Sequence, residues 1–495
     1  MKKSIIILFM LCVCNQFFNA QNFKTPNLTK KQMQEDIAFL VRAIKEIEPH
    51  IKAKELETGM QITAKIDSLS QTAKNLTNFT DFYNLGKKIL YLCQDMHSVF
   101  RTADEKDNFY ISKKAKKVTN ACNSLFFGMP YIPGAICING NYYLTNDIKN
   151  MSDSVIFPAG AQILAINGIP VDKYMNSINL YFDNSVRWDV NKKQYYTNKI
   201  FWLDAIYKNI KDRNLTFKYN DSVKTTSVLG GMSFSGNYVE NDTAKVDYFE
   251  DKNILYIRVP AMNYDKINFY KNEIHRYKNK KIDKVVIDVR DNGGGNDYVW
   301  ESILEEIIDS QIIYSENFGY KNTPLVVDYL EKIRKVNIEK YFSPCEIYGE
   351  NFLCRQYSDT ITPSPSSIMY NGNIYVLANG SIYSSTLAFI SVCNRVERLV
   401  TVGQPSGYFL GRSSTPFFLS LPNSKLIFWL VPVLDMSAVK TTQDHYDFYR
   451  DIFVDEDINQ YVYKLYFGIS LKGDIYSKDF LYNHDPIFQK VLEIK

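Results

Sequence analysis

At 495 residues the chain is too long for a single hydrophobic core, and roughly two to four domains are expected. Its composition, 45% hydrophobic and 23% charged, is that of a globular protein and excludes disordered and fibrous classes. A net charge of +4 spread over this length, with no basic block, argues against a nucleic-acid partner.

The first twenty residues have the pattern of a secretory signal peptide. Lys2 and Lys3 are followed by the apolar run Ile5 to Val13, then Ala20 as a small residue before a cut. Residues 1–20 are therefore expected to be removed and the protein exported: periplasmic, cell-surface or secreted. The segment Leu11-Cys12-Val13-Cys14 loosely resembles a lipid-attachment box, so a lipid anchor is the alternative to cleavage after Ala20. The apolar run is short for a membrane span, and no later stretch suits a transmembrane helix. Among the remaining cysteines, Cys345 and Cys354 stand close together near Pro344 and Gly349 and could close a small loop in an oxidising compartment. Cys393 reads as a free core thiol. With no CxxC or HExxH motif and five scattered histidines, neither a metal nor a cofactor is expected.

Three regions follow. In 22–110, Met33, Ile37, Leu40, Ile44 and Ile47 recur at helical spacing after Thr29, which with Gln32 makes a capping box. Ile62 to Leu76 and Thr80 to Gln94 read as two further helices, giving an N-terminal helical domain that runs into Asp95-Met-His-Ser98. In 120–230 short strands alternate with turns. Ala135 to Thr145 is a hairpin around Asn139-Gly140, Ala161 to Ile166 is an alternating strand, and Leu215 to Val228 adds more strand. From 244 to 495 strands and helices alternate: strand Asn253 to Val259, helix Tyr264 to Lys278, strand Lys284 to Val289, helix Tyr298 to Ile308. That order indicates an α/β domain with βαβ crossovers. A hairpin follows from Phe417 to Val431, and a closing helix begins at Asp485.

The most informative stretch runs from Asn373 to Gly407. Ile374 to Leu377 suits a buried strand, Asn379-Gly380 breaks it, and a helical pattern resumes around Ser384 and Ser385. Taken alone, these serines read as helix caps. The same position also sets a serine hydroxyl beside the unpaired N–H groups of a helix start, where an oxyanion can be held. Two other elements can join it. Gly293-Gly294-Gly295 directly follows a strand, and loops after the strands of an open α/β sheet gather at one edge. His97, from far upstream, is of the residue type that serves proton transfer near neutral pH.

In this order the pieces resemble the C-terminal-processing, or tail-specific, serine peptidases, in their tricorn-like and retinoid-binding-protein-like branch. Val285-Val-Ile-Asp-Val-Arg-Asp-Asn-Gly-Gly-Gly295 is similar to the family's strand and glycine turn. Phe157 to Gly168 is similar to the core of its PDZ-like domain. Asp95-Met-His-Ser98 resembles the family's histidine segment, Ile382-Tyr-Ser-Ser385 its nucleophile motif, and Val402 to Gly407 the turn after the next strand. The resemblance implies a multidomain α/β protein with a ClpP/crotonase-like βαβ core, an N-terminal helical domain and a PDZ-like β-rich domain. It implies Ser384 as nucleophile, His97 as general base, and the N–H groups of Gly294 and Ser385 as an oxyanion hole. Glu456, in the late segment Ile452 to Asp457, is the candidate third member. The serine–lysine branch places a lysine after the nucleophile, and none occurs between Ser406 and Gly411, which favours His97. Glutamate is absent after the nucleophile motif, where Thr386 and Leu387 stand, and Met96 precedes the histidine.

The expected activity is an exported serine endopeptidase acting on polypeptides, with the PDZ-like domain holding a C-terminal end by sheet addition. The alternative is a catalytically weak or inactive protein that binds a peptide or apolar ligand on the same scaffold. The two differ in one geometric requirement. In the enzyme His97 must come within hydrogen-bond reach of Ser384.

Overall fold

The structure, a computed structural model, describes residues 26–102, 113–126, 134–149, 154–177, 184–198, 200, 213–228, 243–409, 416–446, 451–455 and 457–494. The expected signal peptide, with Cys12 and Cys14, and the candidate Glu456 lie outside the described residues.

The apolar strands of the last region form one six-stranded sheet. Its order is Lys245–Phe249, Ile254–Arg258, Lys284–Asp288, Ile374–Ala378, Leu399–Gly403, Ile452–Phe453. The first pair is antiparallel and every later pair is parallel. Ile257, Ile287, Val376 and Thr401 lie in register across it. Side chains alternate between the faces of a strand. Val285, Ile287, Ile374 and Val376 enter one core with the helices Ile267–His275, Tyr298–Ile307 and Ser385–Cys393. Val286, Tyr375 and Leu377 enter another with Leu481, Ile487 and Phe488 of the C-terminal helices. Both faces are covered, which is why the inner strands are apolar through their middles, as at Val285 to Ile287 and Ile374 to Ala378.

The middle region forms a separate antiparallel sheet: Ala135–Ile138, Asn141–Leu144, Gln162–Ile166, Arg213–Tyr219, Ser222–Val228. Asn139-Gly140 makes its first turn with both residues at positive φ, as the sequence predicts. The N-terminal helix Lys30–Ile47 starts at Thr29 with the expected capping box to Gln32. Pro49, which ends that helix, also starts another, His50–Thr58, that the sequence reading passes over. The N-terminal helices share one apolar cluster with Val326, Leu353, Phe417 and Phe428. A four-stranded antiparallel sheet, Ser343–Ile347, Glu350–Ile361, Ile312–Lys321, Val433–Asp435, was likewise not anticipated. Its first hairpin carries the Cys345–Cys354 disulfide, while Cys393 is a buried free thiol. Among the described residues no helix is long and apolar enough to cross a membrane.

The carboxyl end of the central strand is fixed by charge. Asp288, fully buried, accepts from Tyr256 Oη at 2.8 Å and from Arg290 Nε and Nη2 at 2.9 and 2.6 Å. Arg258 lies 3.6 Å away, and Arg290 Nη1 reaches on to Asp485 at 2.6 Å. Burial works against the Asp288 charge, yet the Arg290 and Arg258 guanidinium groups and the Tyr256 hydroxyl hold its carboxyl well below the usual range. That stabilisation is present above the unfolded aspartate value and is lost as pH falls through the lower folded one. Asp288→Asn leaves two buried guanidinium groups undercompensated, and its expected cost is about 3–5 kcal/mol. Chemical denaturation at pH 7 measures it, and the gap to wild type is expected to narrow in acid.

Candidate active site

Two strand ends build the site. The turn after Lys284–Asp288 is held by its own side chains. Asn292 Nδ2 donates to Val259 O at 2.8 Å, and Met262 N–H donates to Gly294 O at 3.0 Å. Gly294 and Gly295 have φ of +100° and +142°. A Cβ on Gly294 would lie 2.6 Å from Ser384 Cβ and 2.9 Å from Ser385 N, so only glycine lets the two turns approach this closely. The turn after Ile374–Ala378 is tied to the first by Asn379. Its Oδ1 accepts from Asp291 N–H at 3.0 Å and its Nδ2 donates to Asp291 Oδ1 at 2.9 Å. Tyr383 N–H donates to Asn292 O at 3.1 Å.

Ser384 sits between that turn and the helix Ser385–Cys393, with φ 57° and ψ −124°. A residue with a β-carbon pays about 1–3 kcal/mol for such a conformation, and it persists only where the surroundings dictate it. Here the following helix is buried at all nine positions. His97 arrives from the other end of the sequence. Its segment is pinned by Trp429 N–H to Val99 O at 2.9 Å and Arg101 N–H to Ile427 O at 3.2 Å.

His97 Nε2 lies 3.3 Å from Ser384 Oγ. On the other side of the ring, Nδ1 lies 3.0 Å from Asp95 Oδ1, which also accepts the His97 backbone N–H at 2.8 Å. A carboxylate only accepts, so Nδ1 carries the hydrogen and the Nε2 lone pair faces the serine. Tyr383 stacks on the imidazole with ring centroids 4.9 Å apart. Its hydroxyl donates to Asp95 Oδ1 at 2.9 Å and accepts from Met96 N–H at 3.1 Å. Asp95 is 5% exposed. Burial opposes its charge, but the His97 hydrogen bond and the nearby Lys54 charge hold it well below the ordinary carboxylate range. The set can take a proton from the Ser384 hydroxyl and hold the resulting imidazolium against an anion.

The structure thus brings Ser384, His97, Gly294 and Ser385 together. Ser385 opens its helix, so its N–H has no intrahelical acceptor. The Gly294 N–H donates to Asn292 Oδ1 at 2.8 Å in this state and serves a ligand only if that bond is shared or released. Asp95 lies beside His97 Nδ1, while the candidate Glu456 is outside the described residues. Asp95 and Tyr383 lie inside the histidine and serine motifs, which by themselves assign them no role. The two-residue spacing of Asp95 from His97 is the signal that could have marked the first.

Residues 253–446 match the family model of peptidase family S41. The chain carries an S41 peptidase domain. That match makes it a serine-type peptidase with polypeptide as its substrate class. Of solved structures, mature CPAF is similar at 14% identity over 88% of this chain and 95% of its own, with a TM-score of 0.57. Mature CPAF complexed with lactacystin gives 13% identity, 88% and 96% coverage and 0.57. A CPAF point mutant gives 13% identity, 94% and 98% coverage and 0.56. These likenesses establish a shared mixed α/β multidomain fold. No curated protein matches the chain.

Two substitutions test the S41 site. Asp95→Asn is expected to slow reaction of Ser384 with a fluorophosphonate by about 10²–10⁴-fold, the scale seen when a triad aspartate is neutralised. Gly294→Ala is expected to abolish labelling, since its Cβ would fall on Ser384. Circular dichroism checks that both variants fold.

Proposed function

We propose that the protein is an exported serine endopeptidase in which Ser384 is the nucleophile, His97 the general base and Asp95 the group that orients it. The observation that carries this reading is the chain of contacts Ser384 Oγ, His97 Nε2, His97 Nδ1, Asp95 Oδ1 at 3.3 and 3.0 Å. Attack of Ser384 on a peptide carbonyl transfers its proton to Nε2. The tetrahedral oxygen is held by the Ser385 N–H and, once Asn292 yields it, the Gly294 N–H. The imidazolium then protonates the leaving amine, and a water deprotonated by the same nitrogen hydrolyses the acyl-enzyme.

In this reading the regions 22–110, 120–230 and 244–495 act as a helical domain, a PDZ-like domain and a ClpP/crotonase-like catalytic domain. The signal sequence over 1–20 takes the protein out of the cytoplasm, with a lipid anchor at Cys14 as the alternative. A cavity of about 510 Å³ between the antiparallel sheet and the catalytic turn supports a tail-binding role. One of its walls is Ile136 to Ile138, from an edge strand of that sheet, and another is Asn379 to Ser381, just before Ser384. An extended peptide added to that edge would run toward the nucleophile.

Fluorophosphonate labelling of wild type, Ser384→Ala and His97→Ala tests the assignment. Label on wild type and on neither folded variant is the expected result. Label lost only in Ser384→Ala would mean another base, and no label on folded wild type would favour a ligand-binding protein. For peptides that wild type cleaves, capping the C-terminal carboxylate as an amide is expected to lower kcat/KM about tenfold, corresponding to roughly 1.4 kcal/mol of binding.

A further inference from the structure

Behind Asp95 lies a second set of ionisable groups, all buried and none of them used in the mechanism above. Glu48 ends the first helix, His50 opens the next, and Lys54 lies one turn further along it. All three are 0% exposed. Lys54 Nζ donates to Cys93 O at 2.5 Å and Gln94 O at 3.2 Å, the two carbonyls directly before Asp95. His50 Nε2 lies 2.7 Å from Val433 O. A carbonyl only accepts, so Nε2 carries the hydrogen and Nδ1 is a bare lone pair.

That lone pair faces two carboxyl groups. Glu48 Oε2 and Asp95 Oδ2 each lie 3.9 Å from His50 Nδ1. Among the described residues Glu48 Oε2 and His50 Nδ1 are buried without a hydrogen-bond partner. Three acceptors therefore converge with no hydrogen between them, which a buried site tolerates only at a cost of about 1–3 kcal/mol per unmet group. The charge count points the same way. Lys54 is the one buried cation against two carboxyl groups, and leaving one charge uncompensated costs several kcal/mol, about 3–5. A single added proton removes both defects, and burial beside Lys54 disfavours placing it on His50, which leaves the two carboxyl groups. Asp95 is the poor site for it, because its Oδ1 already accepts from His97 and Tyr383. Glu48 Oε1 accepts from Ser98 Oγ and from Val431 N–H at 3.2 Å, which leaves Oε2 as the oxygen to be protonated.

We infer that Glu48 is a positioning residue of the catalytic site that works as a neutral acid, its Oε2–H donating to His50 Nδ1 and keeping a second negative charge away from Asp95. The inference rests on the peptidase reading of Ser384, His97 and Asp95. A closure of about 1 Å brings the Glu48–His50 pair to hydrogen-bond distance. The groups facing Glu48 are Asp95, Lys54, His50 and the Cys93 thiol, with Ser98 and the Val431 N–H. Burial, and then the Asp95 charge, push the Glu48 carboxyl up to about 7, against the pull of Lys54 and the two hydrogen bonds. Burial, with Lys54 beside it, keeps His50 neutral, its value lowered to about 3. Below pH 7 Glu48 holds its proton. As pH rises through 7 it loses it, a second anion appears beside Asp95, and the Lys54 clamp on the Cys93 and Gln94 carbonyls is drawn toward that charge. Reactivity of Ser384 then falls.

The test is the second-order rate of fluorophosphonate inactivation of the full chain from pH 5.5 to 9.5, which needs no substrate. Wild type is expected to pass a maximum near pH 7 and fall about tenfold by pH 9, equivalent to roughly 1.4 kcal/mol. Glu48→Gln, whose amide donates at every pH, is expected to lack that fall. Glu48→Ala is expected to be slow throughout. A wild-type rate that holds to pH 9, or a Glu48→Gln profile with the same fall, overturns the inference. A second measurement stands apart from labelling. Folded Ser384→Ala protein is expected to show at pH 6 an infrared band of one protonated carboxyl that vanishes as pH rises through 7. Its absence overturns the inference even where a Glu48 variant fails to fold. If the band is present but no protein labels at any pH, the peptidase reading has failed and the positioning role of Glu48 fails with it.

Discussion

One carboxylate oxygen joins two ends of the chain. Asp95 Oδ1 receives the His97 backbone N–H and lies against Nδ1 of its ring, from the N-terminal region, and it receives the hydroxyl of Tyr383, which immediately precedes Ser384. Separations of this size in sequence are expensive to close by chain entropy alone. They are held because Asp95 is buried, where a charge-assisted hydrogen bond is worth about twice a neutral one. Tyr383 closes a small circuit: it donates to Asp95, accepts from Met96, and lies flat on the His97 ring. The imidazole is thereby held in plane, in tautomer and in distance by contacts that reach its ring from two sides.

Ser384 is held by a different kind of constraint. Ser384 occupies a backbone conformation that no side chain favours, and what imposes it is burial. The helix that follows is buried all round, so it cannot rotate to relax the turn. Asn379 and the Tyr383 N–H bind the serine turn to the glycine turn, and Asn292 binds the glycine turn to Val259. The parallel sheet sets both turns at the same edge, and the ion cluster at Asp288 holds the central strand end against the C-terminal helix. Each of these devices fixes position, and none is itself reactive. The reactive groups are therefore placed before any ligand arrives.

How much of this could be read from residues alone follows from whether the physics is local. The strands at Lys284 and Ile374 were legible because both faces are buried, and β-branched runs between turn residues say so directly. Thr29 and its capping box, the Asn139-Gly140 hairpin and the closing helix were legible for the same reason. The four-stranded sheet around Glu350–Ile361 was not. Its strands carry alternating polar residues and its partners lie far apart, Ile312–Lys321 on one side and Val433–Asp435 much later. The helix His50–Thr58 was hidden by Pro49, which reads as a stop but here also serves as a start. In the site, Ser384, His97, Gly294 and Ser385 were visible through motif resemblance, and the structure sets them side by side. Asp95 is hard to read from residues alone, because an aspartate two residues from a histidine looks like an ordinary turn. It takes its place beside the His97 ring only when Tyr383, 288 residues away, closes over it.

The buried set behind Asp95 shows why the helical region does more than cover the core. Its first two helices meet at Pro49, and that corner directs Glu48, His50 and Lys54 at the back of Asp95. A hydrophobic corner would have been cheaper to fold, since buried charges gain little over well-packed apolar groups. What the polar corner adds is definition. Lys54 fixes the two carbonyls before Asp95, and with them the backbone from which both Asp95 and His97 project. Ser98, on the far side of His97, is tied to Glu48. The histidine segment is thus gripped before and after His97 by one pair of helices, and the same pair carries the groups whose charge state bears on it. A geometry that must hold to a few tenths of an ångström at Ser384 is in this way set by a corner of the fold that contributes no atom to the reaction.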